Sequence, residues 1–347
     1  MTQPAVMFGS ARALEERLEA LRQSAGFRNY QDVRARVLEM RERIAAEGRG
    51  LPSAYWHEEL SNFEYLLDAS PLVIEKLRHH SHHITGLRVY EYRSDRVRAR
   101  EKFVEKRQAL LALGHPELLV PESPAFGGYG FSIDGALYNI DTLKFYEVLI
   151  ALEKGAVLQE FRQNAERRLV WEIGAGWGGF PYQFKSLCPN VTYVISDFPE
   201  LFIYSATYLM TLFPGAKVAF WGEQPSAALF AGWQEYDFIF CPNTALAELR
   251  PPRLDLTVNM VSFQEMTGEQ VSAYVQHAHA LDCPFLYSLN RDKSAYNQEI
   301  DSVSARIGTY YWPRTIEVLP VPYQKMMGDR RSSTDYDHII GWRRVKV

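Results

Sequence analysis

The sequence has few cysteines and no arrangement that would join them. Its three cysteines, Cys188, Cys241 and Cys283, lie far apart, and no CxxC pair is present. A disulfide framework or a structural zinc site is therefore not expected, whereas a reducing compartment is. We accordingly predict a cytoplasmic protein without a metal site.

Long apolar runs and an excess of positive charge are also missing. No apolar run approaches the length of about 18 residues that a membrane-spanning helix needs. The N-terminal stretch contains Glu15, Glu16 and Glu19 and no apolar block, so we expect no secretory signal. A formal net charge of -4 does not suit general nucleic-acid binding, which requires a basic surface. Neither a membrane nor a nucleic acid is therefore expected as a partner.

What the chain does have is two differently patterned parts. Of its 347 residues, 47% are apolar and 23% are charged, which is typical of a globular protein with one large domain or two ordinary ones. In the first part, Val33, Val37 and Met40 recur at helical spacing. We predict a mainly α-helical N-terminal domain over residues 1–165 and a Rossmann-like domain over residues 166–347.

The second part alternates short apolar runs with helical stretches. Such alternation predicts an α/β fold, in which a parallel sheet carries helices on both faces. The expected strands are Leu169–Ile173, Val191–Ile195, Lys217–Trp221, Asp237–Cys241, Asp255–Asn259 and Phe285–Leu289. Before this part, residues 121–141 are rich in glycine, proline and aromatic residues and are predicted to form a long loop.

A glycine-rich turn, WEIGAGWGGF, follows the first of these strands. Gly174, Gly176 and Gly178 allow the backbone to approach a ligand that a Cβ atom would push away. Glu172 completes the pattern ExGxGxG, the form of this loop found in methyltransferases. A carboxylate at that position can orient the ammonium end of S-adenosylmethionine. Asp197, which closes the second strand, can accept hydrogen bonds from both ribose hydroxyls of an adenosine-containing cofactor.

Other interpretations of the same turn stay open. Gly174, Gly176 and Gly179 also satisfy GxGxxG, so a nicotinamide-dependent oxidoreductase is the alternative enzyme. The turn could also serve tight packing alone, or belong to a non-catalytic protein that binds S-adenosylmethionine as a scaffold. Glu172 and the presence of a single nucleotide-binding half favour S-adenosylmethionine. The other residues that we expect to contact it are Ala175, Phe198, Asn243 and Asn259.

Several segments accompany the glycine loop. They are ISDFPELFIYSATYL, DLTVNMVSFQEMT and FLYSLNRD, with weaker matches upstream at SAYWHEEL, RHHSHHITG and GALYNIDTLKFYEVL. In this combination the chain resembles the bacterial sugar O-methyltransferases, a family of class I S-adenosylmethionine-dependent methyltransferases, over roughly residues 53–290. The resemblance implies the class I methyltransferase sheet and methyl transfer to a hydroxyl of a sugar or glycosylated natural product.

Transfer to a sugar hydroxyl requires a general base, because the hydroxyl is a very weak acid. Glu265, in SFQEM, follows the strand Asp255–Asn259 and is one candidate. Its alternative role is that of a solvated carboxylate at a helix start, where the helix dipole favours acids. The RHHSHH segment supplies the other candidates, since His79 and His83 would share a face if the segment were helical. The alternative there is a solvated helix end.

A small acceptor molecule, a sugar or glycoside that is free or linked to a nucleotide, is the expected partner. Arg78 is a candidate for contact with a phosphate on such an acceptor. The remaining candidates for acceptor contact are Tyr138, Asn139, Gln264, Asn290 and Asp292. Turn or helix-cap roles are the alternatives for several of them. The charged N-terminal helices are expected either to pair in a homodimer or to pack on their own chain.

Overall fold

The N-terminal part of the computed structural model is helical. The structure describes residues 10–49, 56, 60–163, 165–293, 297–319 and 336–345. The first two helices are α1, Ala11–Arg22, and α2, Ala25–Ala46. The side chain of Ser24 caps α2 by accepting a hydrogen bond from the backbone N–H of Phe27.

Further helices follow along the chain. They are α3, Pro71–Ile74, α4, Leu77–His80, α5, His82–Thr85, α6, Val97–Leu111, α7, Ile140–Lys154, and α8, Gln159–Arg162. Of these, α7 is almost wholly buried and ends at Gly155. It begins at Asn139, whose side chain forms a capping box with Thr142.

The segment predicted as a long loop contains a β-hairpin, so that prediction was incomplete. Strands β1, Phe131–Ile133, and β2, Ala136–Tyr138, pair in antiparallel fashion. Asp134 and Gly135 connect them with φ angles of 53° and 81°. An Asp-Gly pair favours such a two-residue turn, because both positions require positive φ. The dipeptide was therefore a signal of the hairpin.

The second part of the chain alternates strands and helices as predicted. Its strands are β3, Arg168–Ile173, β4, Val191–Asp197, β5, Val218–Phe220, β6, Phe238–Pro242, β7, Leu256–Met260, β8, Phe285–Arg291, β9, Tyr311–Thr315, and β10, Tyr336–Arg343. Its helices are α9, Gly179–Leu187, α10, Phe202–Leu212, α11, Ser226–Ala231, α12, Gly268–Ala280, and α13, Val303–Gly308.

These strands form one eight-stranded sheet in the order β5-β6-β4-β3-β7-β8-β10-β9. The six strands from β5 to β8 are parallel, and β10 runs antiparallel to both of its neighbours. From β3 the chain moves in one direction to β4 and later in the other direction to β7. In a doubly wound sheet, ligands bind outside the carboxyl ends of the strands at this reversal.

Helices cover both faces of this sheet, which confirms the predicted α/β, Rossmann-like fold. Right-handed crossovers that run in opposite directions place α9 and α12 on opposite faces. The N-terminal helix α2 packs along α10, and the amide of Asn29 donates to the hydroxyl of Thr211 over 2.9 Å. Division into domains at residues 165 and 166 stays a prediction. Among the described helices, none is long and apolar enough to cross a membrane.

Candidate functional site

A cavity of about 830 Å³ lies at the carboxyl ends of the parallel strands. The residues at the ends of β3, β4, β6 and β7 form the wall of this cavity on the side of the sheet. Residues of α2 and α7 close the cavity from above. Ligand sites typically enclose about 300–1,000 Å³. The cavity is at the large end of this range.

The glycine turn after β3 forms part of this wall. Gly174, Ala175 and Gly176 line the cavity, and the two glycines have φ angles of 74° and 57°. Gly178, by contrast, is a packing residue, since a Cβ there would lie 2.9 Å from the Cα of Ser205 on α10. The prediction that Gly178 contacts the cofactor is corrected accordingly: its missing side chain makes room for a helix.

Glu172 is buried beneath the turn and reaches the cavity wall. Its Oε2 atom accepts a hydrogen bond of 2.8 Å from the hydroxyl of Tyr193. Its Oε1 atom is buried and has no hydrogen-bond partner in the described structure. Burial raises the pKa of this carboxyl to about 8. A buried oxygen without a donor is costly and is therefore suited to receive one from a ligand.

Asp197 ends β4 on the same wall. Its Oδ2 accepts from the backbone N–H of Gly176 over 2.8 Å, and its Oδ1 accepts from the N–H of Phe198 over 2.9 Å. Burial raises the pKa of this carboxyl to about 7. Each carboxylate oxygen has a further lone pair. Asp197 can therefore fix the glycine turn and still accept hydrogen bonds from two hydroxyls of a ligand.

The end of β6 offers two more polar atoms without partners. Asn243 Oδ1 and Thr244 Oγ1 are buried, and no hydrogen bond to either occurs in the described part of the chain. Both residues line the cavity. Phe198 lies beside them on the wall, with the ring of Trp56 5.2 Å away. This part of the cavity combines an aromatic surface with acceptor oxygens, which suits a nucleobase.

The loop after β7 carries Glu265 to the opposite side of the cavity. Glu265 ends a short 3₁₀ turn, Phe263–Glu265, and lines the wall. Val261, two residues after Asn259, has a φ angle of 66°. Positive φ is rare for a β-branched residue, and strained backbone of this kind concentrates at functional sites.

A network of buried amides holds this loop from behind. Asn259 donates to the carbonyl of Ile173 over 2.8 Å, and Asn290 donates to Asn259 Oδ1 over 2.9 Å. Gln264 accepts from the backbone N–H of Arg291 over 2.9 Å. These three amides are buried and do not line the cavity. The predictions that Asn259 contacts the cofactor and that Gln264 and Asn290 contact the acceptor are thus corrected: all three support the wall.

The histidine segment is broken in the middle, so the condition under which His79 and His83 would share a face is not met. Helices α4 and α5 meet at Ser81, and His79 and His83 do not share a helix face. The His79 ring lies 6.0 Å from that of Tyr129, and the His83 ring lies 3.9 Å from that of His82. Neither catalytic candidate lines the cavity, to which the segment contributes Ile84 and Thr85 instead.

Arg78 is buried and paired, contrary to the predicted contact with a phosphate. Its guanidinium donates to Glu122 Oε1 over 2.8 Å and to Asp141 Oδ2 over 2.9 Å. It also lies 3.7 Å above the ring of Trp177, which follows the glycine turn. We call Arg78, Glu122 and Asp141 the Arg78 cluster. Because the guanidinium is bonded to both carboxylates, the cluster joins three segments of the chain. Its charges are therefore not directed at an acceptor.

The other predicted acceptor contacts also have structural roles. Asn139 caps α7 and donates to Glu122 Oε2 over 2.8 Å. Tyr138 is buried, with the guanidinium of Arg107 4.8 Å from its ring. Asp292 accepts from the backbone N–H of Ser304 over 2.7 Å, at the start of α13. None of the three lines the cavity; Asn139 has the helix-cap role that was its alternative, and Asp292 supports the start of α13, whose N-cap is Ser302.

Several wall residues escaped the sequence analysis, among them Lys144 and Thr244. Lys144 lies on α7, within the segment GALYNIDTLKFYEVL that contributes to the family resemblance, but nothing in that segment marks the lysine as a ligand contact. Thr244 follows Asn243 directly, so its position at the end of a strand was the available signal. Within the described residues, no group of three or more His, Cys, Asp or Glu side chains is arranged to hold a metal ion.

The fold and the cavity define a Rossmann-like α/β protein with a ligand site at the carboxyl ends of its strands. No protein-family model and no curated protein matches the chain. Among solved structures, the bifunctional kinase-methyltransferase WbdD is 13% identical over 62% of this chain and 42% of that chain, with a TM-score of 0.40. Human N-acetylserotonin methyltransferase in complex with SAM is 12% identical over 59% of this chain and 52% of that chain, with a TM-score of 0.36.

A third structure, magnesium protoporphyrin IX methyltransferase from Synechocystis PCC 6803 with bound SAM, is 15% identical over 60% of this chain and 85% of that chain, with a TM-score of 0.35. The chain thus spans about half the length of WbdD and of the human protein. Similarity at this level assigns neither a family nor an activity to the chain.

Proposed function

We propose that the protein is an S-adenosylmethionine-dependent O-methyltransferase that acts on a hydroxyl of a sugar or glycosylated natural product. The observation that carries the proposal is one cavity wall that brings together Glu172, the backbone of Gly174 and Gly176, Asp197 and Asn243. Each of these matches a different part of the cofactor.

The polar atoms of the wall fit the cofactor in order along its length. The oxygen of Glu172 that lacks a donor would accept from the ammonium group, and Asp197 would accept from the ribose hydroxyls. Asn243 and Thr244 would accept from the amino group of adenine, beside Phe198. Because these acceptor oxygens are buried, water cannot serve them well, and a ligand donor there contributes more than it would at a surface.

When bound, the cofactor supplies a methyl group on a sulfonium. Glu265 is the candidate base because, of the three predicted catalytic residues, it alone lines the cavity. As the acceptor oxygen forms its bond to the methyl carbon and the C–S bond breaks, Glu265 would take the hydroxyl proton. Ser61, Thr85 and Gln270 add hydrogen-bonding side chains to the same cavity, which suits an acceptor rich in hydroxyls.

Calorimetric titration tests the cofactor first. We expect S-adenosylhomocysteine to bind at micromolar concentration or below, and NADH not to bind. Binding of NADH alone would favour the oxidoreductase alternative. Binding of S-adenosylhomocysteine without methylation of any glycoside in a mass-spectrometric screen would favour a scaffold.

Substitution of Glu265 tests the base. In Glu265→Gln, methylation of an acceptor found in the screen should slow by about 10²- to 10⁴-fold, the usual contribution of a general base. Affinity for S-adenosylhomocysteine should not change. Glu269→Gln, an exposed neighbour on α12, is the matched control. Equal rates in both variants would remove Glu265 from the mechanism while leaving the cofactor assignment intact.

A further inference from the structure

Lys144 places a positive charge on the wall of the cavity that Glu172 also lines. Its ammonium group donates to Asp141 Oδ1 over 3.1 Å, and its side chain is 16% exposed. Within the described part of the chain, Asp141 is the one hydrogen-bond acceptor of this ammonium. A lysine ammonium has three N–H donors. The same nitrogen lies 4.8 Å from the centre of the Phe145 ring, so at most two donors remain for a molecule in the cavity.

The partner of Lys144 is itself fixed. Asp141 is buried, and its second oxygen accepts from Arg78 over 2.9 Å. Burial opposes ionisation of Asp141, but Lys144 and Arg78 together hold its pKa below the ordinary value. The Arg78 cluster thus provides an ionised carboxylate, held by two hydrogen-bonded cations, to which the ammonium of Lys144 donates. This contact fixes the end of the lysine side chain at one point of the wall.

The charges on this wall are complementary to one end of the proposed cofactor. Glu172 offers an acceptor oxygen, and the charge of Lys144 is close enough to act on the pKa of Glu172. The methionine end of the cofactor carries one ammonium and one carboxylate. A lysine close to the sulfonium would repel it, whereas a lysine at the carboxylate end attracts. The wall therefore fixes which end of the cofactor lies beside α7.

We propose that Lys144 binds the α-carboxylate of the cofactor and that Asp141 is its positioning residue. The assignment rests on the proposed function, because it takes S-adenosylmethionine as the ligand. It also goes beyond that function, since it predicts discrimination between two ligands that differ by one carboxylate. Those ligands are S-adenosylmethionine and its decarboxylated form, which keeps the ammonium, the sulfonium and the adenosine.

Titration of both ligands into the full chain and into Lys144→Met tests this directly. Loss of a charged hydrogen bond should weaken S-adenosylmethionine binding by about tenfold to a hundredfold. Binding of the decarboxylated ligand should stay within about twofold, which also shows that the variant is folded. Lys144→Arg should recover most of the affinity. Lys102→Met, an exposed lysine on α6, is the matched control and should bind both ligands like the unaltered chain.

Asp141→Asn tests the positioning role. The variant should lower the ratio of the two affinities in the same direction as Lys144→Met, by a smaller factor. A merely structural loss would weaken both ligands equally and leave the ratio unchanged.

The outcomes separate this inference from the proposed function. If the unaltered chain binds neither S-adenosylmethionine nor S-adenosylhomocysteine, the proposed function is wrong and the inference is lost with it. If the unaltered chain binds S-adenosylmethionine and Lys144→Met binds it equally well, the inference alone is overturned. Equal weakening of both ligands in Lys144→Met would also overturn it, because the loss would then not involve the carboxylate.

Discussion

Two polar regions of the molecule, both buried and both rich in charge, differ in how their atoms are paired. At the strand ends, Glu172, Asn243 and Thr244 each keep an oxygen without a partner, and all three face the cavity. In the Arg78 cluster, the guanidinium is bonded to two carboxylates and an aromatic ring covers it. The first region can still form hydrogen bonds with a ligand, whereas the second forms its hydrogen bonds within the protein.

The difference shows why burial of a charged residue does not by itself indicate a function. Arg78 is a conspicuous cation in the sequence, yet its pairing makes it a structural connector. Glu172 is an ordinary carboxylate in the sequence, yet its buried oxygen without a partner leaves it able to accept a hydrogen bond from a ligand. Between these two regions, the oxygens without partners, and not the charges as such, distinguish the cavity wall from the Arg78 cluster. Substitutions in the two regions should therefore affect stability with opposite signs.

The largest effect is expected at Arg78. Arg78→Ala would leave Glu122 and Asp141 buried without their cation, and breaking such a pair costs about 3–5 kcal/mol of the free energy of unfolding. Urea denaturation followed by circular dichroism measures it. Arg12→Ala, which removes an exposed ion pair to Glu16, should leave the unfolding midpoint unchanged. A loss below about 1 kcal/mol in Arg78→Ala would contradict the structural role of the cluster.

A smaller effect of opposite sign is expected at Glu172. Its pKa is raised from 4.5 to about 8 by burial, so the folded state retains a proton that the unfolded chain releases. The stability from this group is complete below pH 4.5 and is lost as the pH rises through about 8. Glu172→Gln stays neutral throughout. The variant should therefore be more stable than the unaltered chain at pH 8.5, by about 1–3 kcal/mol, and equal to it at pH 4.

The same substitution should weaken binding of the cofactor. Affinity for S-adenosylhomocysteine should fall in Glu172→Gln, because an amide oxygen carries no charge to attract the ammonium. In the unaltered chain, affinity should rise with pH through about 8, as the carboxyl of Glu172 ionises. Thermal melting at the two pH values and titration calorimetry provide the two readouts. A variant that is less stable than the unaltered chain at pH 8.5 would show that Glu172 has a structural role.

The two regions also differ in how far the sequence predicted them. The turn after β3 was predictable because neighbouring residues fix it: a strand, three glycines and an acid two positions before the first glycine. The position of Asp197 on the cavity wall followed from its place at the end of the next strand, and its contact with a ribose stays a prediction. The Arg78 cluster was not predictable, since its carboxylates lie 44 and 63 residues along the chain. Pairing over such separations depends on tertiary packing, which spacing does not encode.

Other failures have the same origin. Asn259 and Asn290 come from strand ends, where a polar residue suggests a ligand contact, but their side chains bond to each other across neighbouring strands. The position of a residue at a strand end was readable from the sequence. Whether its amide faced the cavity or the adjacent strand was not, because that depends on which partner atom lies within hydrogen-bonding reach. Glu265, whose loop continues beyond these amides, does reach the wall.

The smallest effect on stability is expected for alanine substitutions at two glycines, one in the glycine turn and one that does not line the cavity. Gly174 and Gly215 have φ angles of 74° and 90°, so alanine at either position costs about 1–2 kcal/mol. A Cβ at Gly215 would meet nothing within 4 Å, whereas one at Gly174 would lie 2.4 Å from the hydroxyl oxygen of Ser262. That hydroxyl accepts from Asn259 over 2.5 Å, so its displacement disturbs the amide support of the wall.

Both alanine variants should lose stability in urea denaturation, Gly174→Ala more than Gly215→Ala because of its contact with Ser262, and only Gly174→Ala should lose cofactor affinity. Gly174→Ala should bind S-adenosylhomocysteine about tenfold or more weakly, equivalent to at least about 1.4 kcal/mol. Gly215→Ala should bind it like the unaltered chain. Unchanged binding in Gly174→Ala would show that the cofactor does not contact this turn. Equal losses of binding in both variants would mean that affinity follows global stability, and the distinction between a ligand wall and the rest of the fold would then disappear.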